Sequence, residues 1–202
     1  MLPRMPKIEL GRPATYDDLV ALPEHVVGEI VDDELWSSPR PAPRHALAYA
    51  AITGIIVPAF DFGDRGPGGW RIIDEPELHL GHHVLVPDLA GWRRERMPRL
   101  PETAFFPLAP DWVCEVLSPS TVRLDRAKKL RIYAQEGVGH AWLVDPIART
   151  LEVLRRAADG TWTLVDTHVG TAVARIEPFD AIEFRLELLW EREEKQENAD
   201  SR

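Results

Sequence analysis

The sequence predicts one domain of mixed α/β class, in which a β-sheet is flanked by helices and extended by β-hairpins. The 202 residues are 45% hydrophobic and 28% charged, as in a globular chain with a substantial buried core. Strand-length apolar runs alternate with stretches in which apolar residues recur at helical spacing. Residues 1–190 contain no repeat and no low-complexity linker, whereas residues 191–202 are polar and form a C-terminal tail.

The first predicted elements are a short helix, a hairpin and a long helix. A capping-box sequence at residues 15–18, with Asp in place of the usual Glu, begins a short helix that Pro23 ends. Residues 26–37 contain two β-prone runs around an acidic turn, which is the pattern of a hairpin. Residues 43–60 begin at a proline and carry Ala, Leu and Ile at helical spacing, so they form the first long helix. A glycine-rich loop follows at residues 61–69.

The rest of the chain alternates strands and loops around one further helix. Residues 93–110 contain four prolines and form a long loop. Residues 125–136 form a helix, with Gly137 at its C-cap position. Residues 159–160 are Asp-Gly, which indicates a hairpin turn. The predicted strands cover residues 70–73, 84–92, 111–117, 141–144, 151–154 and 161–165.

Charge is spread unevenly along the chain. The net charge is −9, so the protein does not coat nucleic acid through bulk charge, and phosphate contacts must come from a local basic surface. Residues 91–156 hold 12 Lys and Arg against 8 Asp and Glu. This segment is therefore the predicted source of phosphate contacts.

Composition also bears on the location of the protein. The longest apolar stretch, residues 46–60, is interrupted by Gly54 and Pro58 and is too short to span a bilayer. The first residues carry bases without a following apolar region, unlike a secretory signal. Cys114 is the single cysteine, which permits neither an internal disulfide nor a cysteine metal cage, and we expect it in the core. We therefore expect no membrane partner and a cytoplasmic location.

Two carboxylates interrupt apolar runs of strand type. Asp88 follows Pro87 next to three aliphatic residues, and Glu115 lies within the apolar residues 112–117. A carboxylate inside an apolar strand costs several kcal/mol unless it is paired or binds a cation. Two such acids on neighbouring strands suit a hard divalent cation, whose ligands are oxygens. The alternative is that one or both lie at strand ends and contact water.

The helix predicted in the second half of the chain carries a charged face. Asp125, Lys129 and Tyr133 are each four residues apart and share one side of the helix, whereas Lys128 and Arg131 face outward. Lys129 can therefore point inward, where an ammonium beside two carboxylates can hold a reacting phosphate or an attacking water. The alternative is an ordinary surface ion pair between Asp125 and Lys129.

Several short motifs follow one another along the chain. They are Gly28-Glu29-Ile30-Val31-Asp32-Asp33-Glu34-Leu35, Ser38-Pro39-Arg40-Pro41-Ala42-Pro43-Arg44-His45, Pro87-Asp88, Glu115-Val116-Leu117-Ser118-Pro119-Ser120, Asp125-Arg126 with Lys129 and Tyr133, Gly137-Val138 and Trp142-Leu143-Val144-Asp145-Pro146. Together they resemble the Uma-type endonucleases, bacterial proteins of the PD-(D/E)XK superfamily. The resemblance covers residues 15–155 and implies a restriction-endonuclease-like mixed β-sheet flanked by helices.

The resemblance also implies a metal-dependent nuclease that hydrolyses phosphodiester bonds in nucleic acid, with DNA as the expected substrate and Mg²⁺ or Mn²⁺ as the cofactor. Asp88 matches the motif aspartate and Glu115 the motif acid, and both are metal ligands in the superfamily. The usual lysine two residues after the acid is replaced by Leu117. In the Uma-type branch this lysine has moved to the following helix, which points to Lys129, with Lys128 as the alternative.

Further site residues follow from the same resemblance. Glu29 matches an acid that the N-terminal elements contribute, as a further metal or water ligand. His45 lies where the family has a histidine; it either contacts phosphate or a metal-bound water, or is a plain exposed histidine. The expected phosphate contacts in the basic segment are Arg93, Arg94, Arg96, Arg123, Arg126 and Arg131.

Other polar groups are interpreted as structural. His79, His82 and His83 are not expected to bind zinc, because a glycine interrupts them and no cysteine lies nearby. Glu75 and Glu77 are expected to be solvated acids at a strand end.

Two other functions stay open at this stage. One is a catalytically silent module, binding nucleic acid or protein on the nuclease scaffold, although such a module predicts loss of a motif residue. The other is a metal-dependent hydrolase of another phosphate substrate, which the net charge of −9 favours slightly. A strand-rich chain with seven tryptophans is also expected to bury an apolar surface in a homodimer.

Overall fold

The computed structural model describes residues 6–38 and 41–191. Residues 192–202 of the predicted polar tail lie outside the described residues. In chain order the strands are β1 (Lys7–Ile8), β2 (Val27–Val31), β3 (Glu34–Ser38), β4 (Trp70–Asp74), β5 (Leu78–Leu80), β6 (His83–Leu85), β7 (Leu89–Arg93), β8 (Trp112–Val116), β9 (His140–Asp145), β10 (Thr150–Arg156), β11 (Trp162–Val169), β12 (Val173–Ala174) and β13 (Phe184–Arg185).

Most of the helices are short, and two helices continue into wider turns. The α-helices are α1 (Tyr16–Val20), α2 (Pro43–Ile56), α3 (Val122–Leu124) and α4 (Leu130–Gln135). A π-helical turn at Val57–Asp61 extends α2, a second at Asp125–Lys129 joins α3 to α4, and Leu186–Leu189 is a 3₁₀ turn. Among the described residues, no helix is both long enough and apolar enough to cross a membrane.

The strands form three sheets. The largest has the order β11-β10-β9-β8-β7-β4, in which β8 and β9 are parallel and the other neighbours are antiparallel. A second sheet has the order β1-β3-β2-β6-β5, and β12 pairs with β13. The segment from α3 to α4 joins the parallel strands, because a parallel pair needs a crossover connection. The predicted mixed sheet with helices and additional hairpins is confirmed.

Helices cover both faces of the six-stranded sheet. On one face Ile52 and Ile56 of α2 pack with Trp112 and Trp142. On the other face Ile132 of α4 belongs to a second core cluster, which includes Val113 and Leu143. Every residue of β8 is buried, which explains why this strand is an apolar run instead of an alternating pattern.

The hairpin of β2 and β3 has the turn that its acidic sequence predicts. Asp32 and Asp33 both have positive φ, of 52° and 60°. Two such residues form a type I′ turn, whose twist matches that of the flanking strands, and Asp tolerates this conformation better than most residues. The hairpin places Glu29 in β2 of the second sheet, where β2 pairs directly with β6.

The predicted strand at residues 84–92 is wrong as a single element. It divides into β6 and β7, which belong to different sheets. Pro87 lies between them, and it has no N–H for a sheet hydrogen bond, so the chain leaves one sheet here and enters the other. Asp88 is therefore the residue that immediately precedes β7.

The predicted helix at residues 125–136 differs from the structure at its start. The helical segment begins at Val122, and the backbone N–H of Leu130 donates to the carbonyl oxygen of Asp125, five residues earlier. Such a π turn is wider than an α turn and occurs often at functional sites. Sequence periodicity does not reveal the π turn. The turn contains one residue more than an α turn, and this changes the spacing of the apolar residues only slightly.

Candidate active site

A cleft of about 370 Å³ lies where the two large sheets meet helix α2 and the helical segment from α3 to α4. Its walls are the start of α2, strand β2, the end of β8 and the π turn before α4. The polar residues that line it are Glu29, Ser38, His45, Glu75, Asp88, Glu115, Ser118, Ser120, Thr121, Asp125 and Lys129. All four predicted catalytic residues, Glu29, Asp88, Glu115 and Lys129, therefore lie in one cleft.

The ammonium of Lys129 lies between two buried glutamates. Its Nζ is 2.9 Å from Oε1 of Glu29 and 2.9 Å from Oε1 of Glu115. It also donates to the carbonyl oxygen of Val86, at 3.3 Å. Glu29 Oε1 accepts from the N–H of Val86 at 2.8 Å, and Glu115 Oε1 accepts from the hydroxyl of Tyr133 at 2.7 Å. Two sheets and one helix thus meet at a single cation.

The alternative of a surface ion pair between Asp125 and Lys129 is wrong. The side chain of Lys129 is only 3% exposed and that of Asp125 4%, and Lys129 Nζ is 3.7 Å from Asp125 Oδ1. Burial alone lowers the pKa of a lysine, but the charges of Glu115 and Glu29 outweigh it and raise the pKa of Lys129 well above its usual value. Lys129 is therefore a charged, buried ammonium at neutral pH.

The adjacent Lys128 points elsewhere. Its Nζ is 2.6 Å from Oε2 of Glu34 and 3.5 Å from Oδ2 of Asp32, both in the β2–β3 hairpin. It also lies over the ring of Trp36, 5.3 Å from the centroid. Lys128 therefore ties the helix to the hairpin and does not line the cleft.

Asp88 lies beside Glu115 at the end of the β7–β8 ladder. Leu89 pairs with Cys114, so the register places the preceding Asp88 opposite Glu115. Asp88 Oδ2 accepts from the N–H of Val116 at 2.7 Å, and its Oδ1 is 3.0 Å from Nε2 of His45. The two predicted metal ligands are neighbours across two strands, as proposed from the apolar runs that they interrupt.

His45 lies near the start of α2 and is mostly buried. Burial lowers its pKa, but the hydrogen bond to Asp88 and the charges of Asp88, Asp125 and Glu75 outweigh this effect, so the net pKa is raised. Nδ1 of the ring is buried and has no hydrogen-bond partner among the described residues. A buried polar atom without a partner costs about 1–3 kcal/mol, which is a reason to expect a ligand atom there.

The carboxylates of the cleft outnumber its cations. Burial raises the pKa of Glu115 well above its usual value, although Lys129 opposes this shift, and Asp125, Asp88 and Glu29 add to it. Burial likewise raises the pKa of Asp125 to about 7, with Lys129 and a hydrogen bond from Thr121 acting in the opposite direction. The site is thus short of positive charge as it stands.

Glu75 is a cleft residue that the sequence interpretation did not select. It is exposed, as expected of a strand-end acid, but it lines the cleft wall. Its φ is +40°, and its N–H donates to the carbonyl oxygen of Asp88 at 2.9 Å. Partial burial of its carboxyl and the charge of Asp88 raise its pKa. No apolar pattern marks this residue, so periodicity could not have found it.

Four of the six arginines expected to contact phosphate are held by carboxylates of the protein. Arg126 makes two hydrogen bonds to Glu152, of 2.8 and 2.7 Å, and Arg131 is 2.5 Å from Asp32. Arg94 pairs with Asp61, Arg96 pairs with Asp111, and Arg93 lies over the ring of Trp70. Arg123 is exposed, and within residues 6–38 and 41–191 no ion pair is described for it. None of these arginines lines the cleft.

The cleft offers carboxylate oxygens to the expected metal. In the described part of the chain, no group of three or more His, Cys, Asp or Glu side chains could hold a metal ion as it stands. Mg²⁺ is commonly bound by only one or two carboxylates, with water and substrate phosphate as the other ligands. Asp88 and Glu115 supply two such carboxylates, and the excess of negative charge around them favours a divalent cation. The residues therefore fit the metal.

The raised pKa of Asp125 leads to a prediction about stability. The folded state keeps the proton of Asp125 between its ordinary pKa of 3.8 and about 7, whereas the unfolded state releases it. Unfolding thus releases a proton in this window, and stability falls as the pH rises through it. We expect Asp125→Asn to flatten the dependence of Tm on pH across the window. Part of the slope remains, because Glu115 also has a raised pKa.

The control for this measurement is Asp64→Asn, which changes an exposed carboxylate in the loop that follows α2 and its π turn. Its Tm profile should follow that of the wild type. Equal slopes for Asp125→Asn and the wild type would show that Asp125 is ionised in the folded state throughout the window.

The chain and its fold both match known proteins. The chain is similar to the crystal structure of a "putative nuclease belonging to DUF820" from Anabaena variabilis ATCC 29413, with 24% sequence identity and a TM-score of 0.68. The match covers 88% of this chain and 97% of that chain, and at this identity it shows the fold. No curated protein matches. The family model of Uma2, described as "Putative restriction endonuclease", matches residues 14–188, and the chain therefore belongs to the Uma2 family.

Proposed function

We propose that the protein is a metal-dependent nuclease that hydrolyses phosphodiester bonds in nucleic acid, with DNA as the substrate. The observation that carries this proposal is the ammonium of Lys129, held 2.9 Å from both Glu29 and Glu115 in an open cleft that also contains Asp88. Membership of the Uma2 family supports a nuclease. The metal and the DNA substrate are the parts that this proposal adds.

Asp88, just before β7, and Glu115, near the end of β8, would hold Mg²⁺ or Mn²⁺. The metal supplies a Lewis acid for the phosphate and a water of lowered pKa for the attack. Asp88 is oriented for this role by the N–H of Val116 and by His45. Glu115 is oriented by the hydroxyl of Tyr133. A ligand fixed by such partners loses little freedom when the cation binds.

Lys129 would offset the negative charge that develops on the phosphate during attack. A buried, preorganised cation is effective in this role because no water has to reorient as the charge forms. Glu29 holds the ammonium through Oε1 and is itself fixed by the N–H of Val86, so it acts as the positioning group for Lys129. In this proposal Glu29 orients Lys129 and is not a metal ligand, and the metal ligands are Asp88 and Glu115.

His45 and Arg123 are the proposed phosphate contacts. His45 lines the cleft, where its ring can lie against a phosphate. Arg123 is exposed two residues after Thr121, which lines the cleft. Arg126 and Arg131 stay predictions, because a phosphate would have to compete with Glu152 and Asp32 for them.

The proposed metal site is tested by thermal unfolding with and without Mn²⁺. A ligand at a hundredfold excess over its Kd stabilises the folded state by about 2.7 kcal/mol. We expect Mn²⁺ to raise the Tm of the wild type by several degrees and to have little effect on Asp88→Asn. Asp64→Asn, an exposed control in the loop after α2, should respond as the wild type does. An equal response of Asp88→Asn and the wild type would place the metal elsewhere.

The two neighbouring lysines give the second test. We expect Lys129→Ala to lower the rate of DNA cleavage about 10²- to 10³-fold, the usual loss when one group that stabilises transition-state charge is removed. Mn²⁺ binding should be retained. Lys128→Ala should cleave normally and lose no more than about 1 kcal/mol of stability, because its ion pairs are partly exposed.

Loss of a buried cation costs about 3–5 kcal/mol, so the Tm of Lys129→Ala is measured together with its cleavage rate. Lys129→Arg keeps the charge and should fold, but its planar guanidinium does not reproduce the compact ammonium, so cleavage should still fall. Plasmid, single-stranded DNA and RNA are the substrates for both variants. Wild-type cleavage rates in a folded Lys129 variant would reduce Lys129 to a structural ion pair. If the wild type cleaves none of them, the protein is a silent module or a hydrolase of another phosphate substrate.

We also propose that the protein forms a homodimer. β11 is an edge strand of the large sheet, and its Leu164, Val165 and Val169 are 56%, 39% and 58% exposed. Exposed apolar residues on an edge strand favour association with a second chain. Light scattering at micromolar concentration is expected to give twice the mass of one chain. The mass of a single chain would overturn the proposal.

A further inference from the structure

A second pocket, of about 260 Å³, lies on the other side of the first turn of α2. Arg44 and Arg149 line it, together with Pro146, Ile147 and Glu191. Two guanidinium groups in one pocket suit a phosphate, because a guanidinium is a fixed positive charge that can donate two parallel hydrogen bonds to phosphate oxygens. None of the functional residues considered so far lies in this pocket.

The pocket lies next to the cleft, both along α2 and along the edge of the large sheet. Arg44 directly precedes His45 on α2, and successive helical residues point about 100° apart, so one lines the pocket and the other the cleft. The pocket also begins where β9 ends, at Pro146, and the cleft begins where β8 ends. β8 and β9 are parallel neighbours, about 4.8 Å apart, so both openings face the same edge of the sheet.

The ion pair of Arg44 is weaker than those of the basic segment. Arg44 is 3.6 Å from Glu191, and the two side chains are 62% and 68% exposed. Arg126, by contrast, is 2.7 Å from Glu152 in a bidentate pair. An exposed pair at this distance contributes about 0–1 kcal/mol, so a phosphate can displace Glu191 at little cost.

We propose that this pocket binds a backbone phosphate of the nucleic acid next to the phosphate that is cleaved. The proposal rests on the proposed nuclease function and adds the path of the substrate: the strand crosses the first turn of α2, from the cleft to Arg44 and Arg149. Glu191 competes with the substrate for Arg44. Phosphate contacts of this kind give affinity and position without reading sequence.

The first experiment measures binding of the full chain to a fluorescein-labelled DNA duplex and to the matching single strand, in EDTA, over a range of KCl concentrations. Each lost phosphate contact lowers the slope of log K against log salt by about 1. We expect this loss for Arg44→Gln and again for Arg149→Gln. Glu191→Gln should bind more tightly than the wild type, by a few fold, because it removes the competing carboxylate.

The matched control is Arg155→Gln. Arg155 is also exposed and paired with a carboxylate, that of Glu177, but it lies next to His140, at the opposite end of β9. Its salt slope should equal that of the wild type. If Arg44→Gln and Arg155→Gln change the slope equally, the effect is one of net charge and the pocket is not a binding site.

The second experiment separates this proposal from the proposed function. A chromogenic mononucleotide phosphodiester fills the catalytic cleft but cannot reach the second pocket. Arg44→Gln should hydrolyse it at the wild-type rate, and should raise KM for DNA with little change in kcat. If the wild type cleaves DNA and Arg44→Gln leaves both the salt slope and KM unchanged, the second pocket is excluded while the nuclease stands. If the wild type neither binds nor cleaves DNA, both proposals fail.

Discussion

The buried ammonium of Lys129 is the interaction on which the rest of the cleft depends. It joins Glu29 of the smaller sheet to Glu115 of the larger one, and the helical segment supplies the lysine itself. Removing one partner of a buried pair costs about 3–5 kcal/mol, a large part of the 5–15 kcal/mol by which a domain is stable. Apolar side chains of similar volume would serve stability at least as well. Such an arrangement is therefore better explained by chemistry at the cleft than by packing.

A second, more exposed set of ion pairs joins the helical segment to the smaller sheet. Lys128 binds Glu34 and Asp32 of the β2–β3 hairpin, and Arg131 binds Asp32 as well. Neighbouring lysines on one helical segment thus do different work: Lys128 fixes the hairpin, and Lys129 reaches the glutamate that the hairpin carries. Glu29 is held in the cleft by Lys129 and by the N–H of Val86.

The sequence was most informative where a residue broke a local pattern. Asp88 and Glu115 stand out because they interrupt apolar runs, and Lys129 stands out because it shares a helical side with Tyr133. The residues that these patterns mark lie together in one cleft. The crossing between sheets at Pro87 and the π turn after Leu124 were missed, because each depends on how the chain packs and not on a periodic pattern.

The arginines show that charge composition alone does not predict which cations contact phosphate. The basic segment was expected to supply phosphate contacts, but Arg126 pairs with a residue 26 positions away and Arg131 with one 99 positions away. A count of charges along the chain contains no information about such distant partners. Only the fold shows which cations are already neutralised.

The charge of the cleft also explains how a protein with a net charge of −9 can act on a polyanion. Several carboxylates surround Lys129, so the cleft repels a phosphate until further positive charge is present. In the proposed nuclease that charge is the divalent cation between Asp88 and Glu115, and affinity for the DNA backbone comes from arginines outside the cleft. Binding and chemistry are then separated in space: the cleft determines the rate, and the arginines beside it determine the dependence of affinity on salt. An acidic protein can act on DNA in this way because the repulsion between its surface and the DNA is screened by salt. Catalysis requires positive charge only at the bond that breaks.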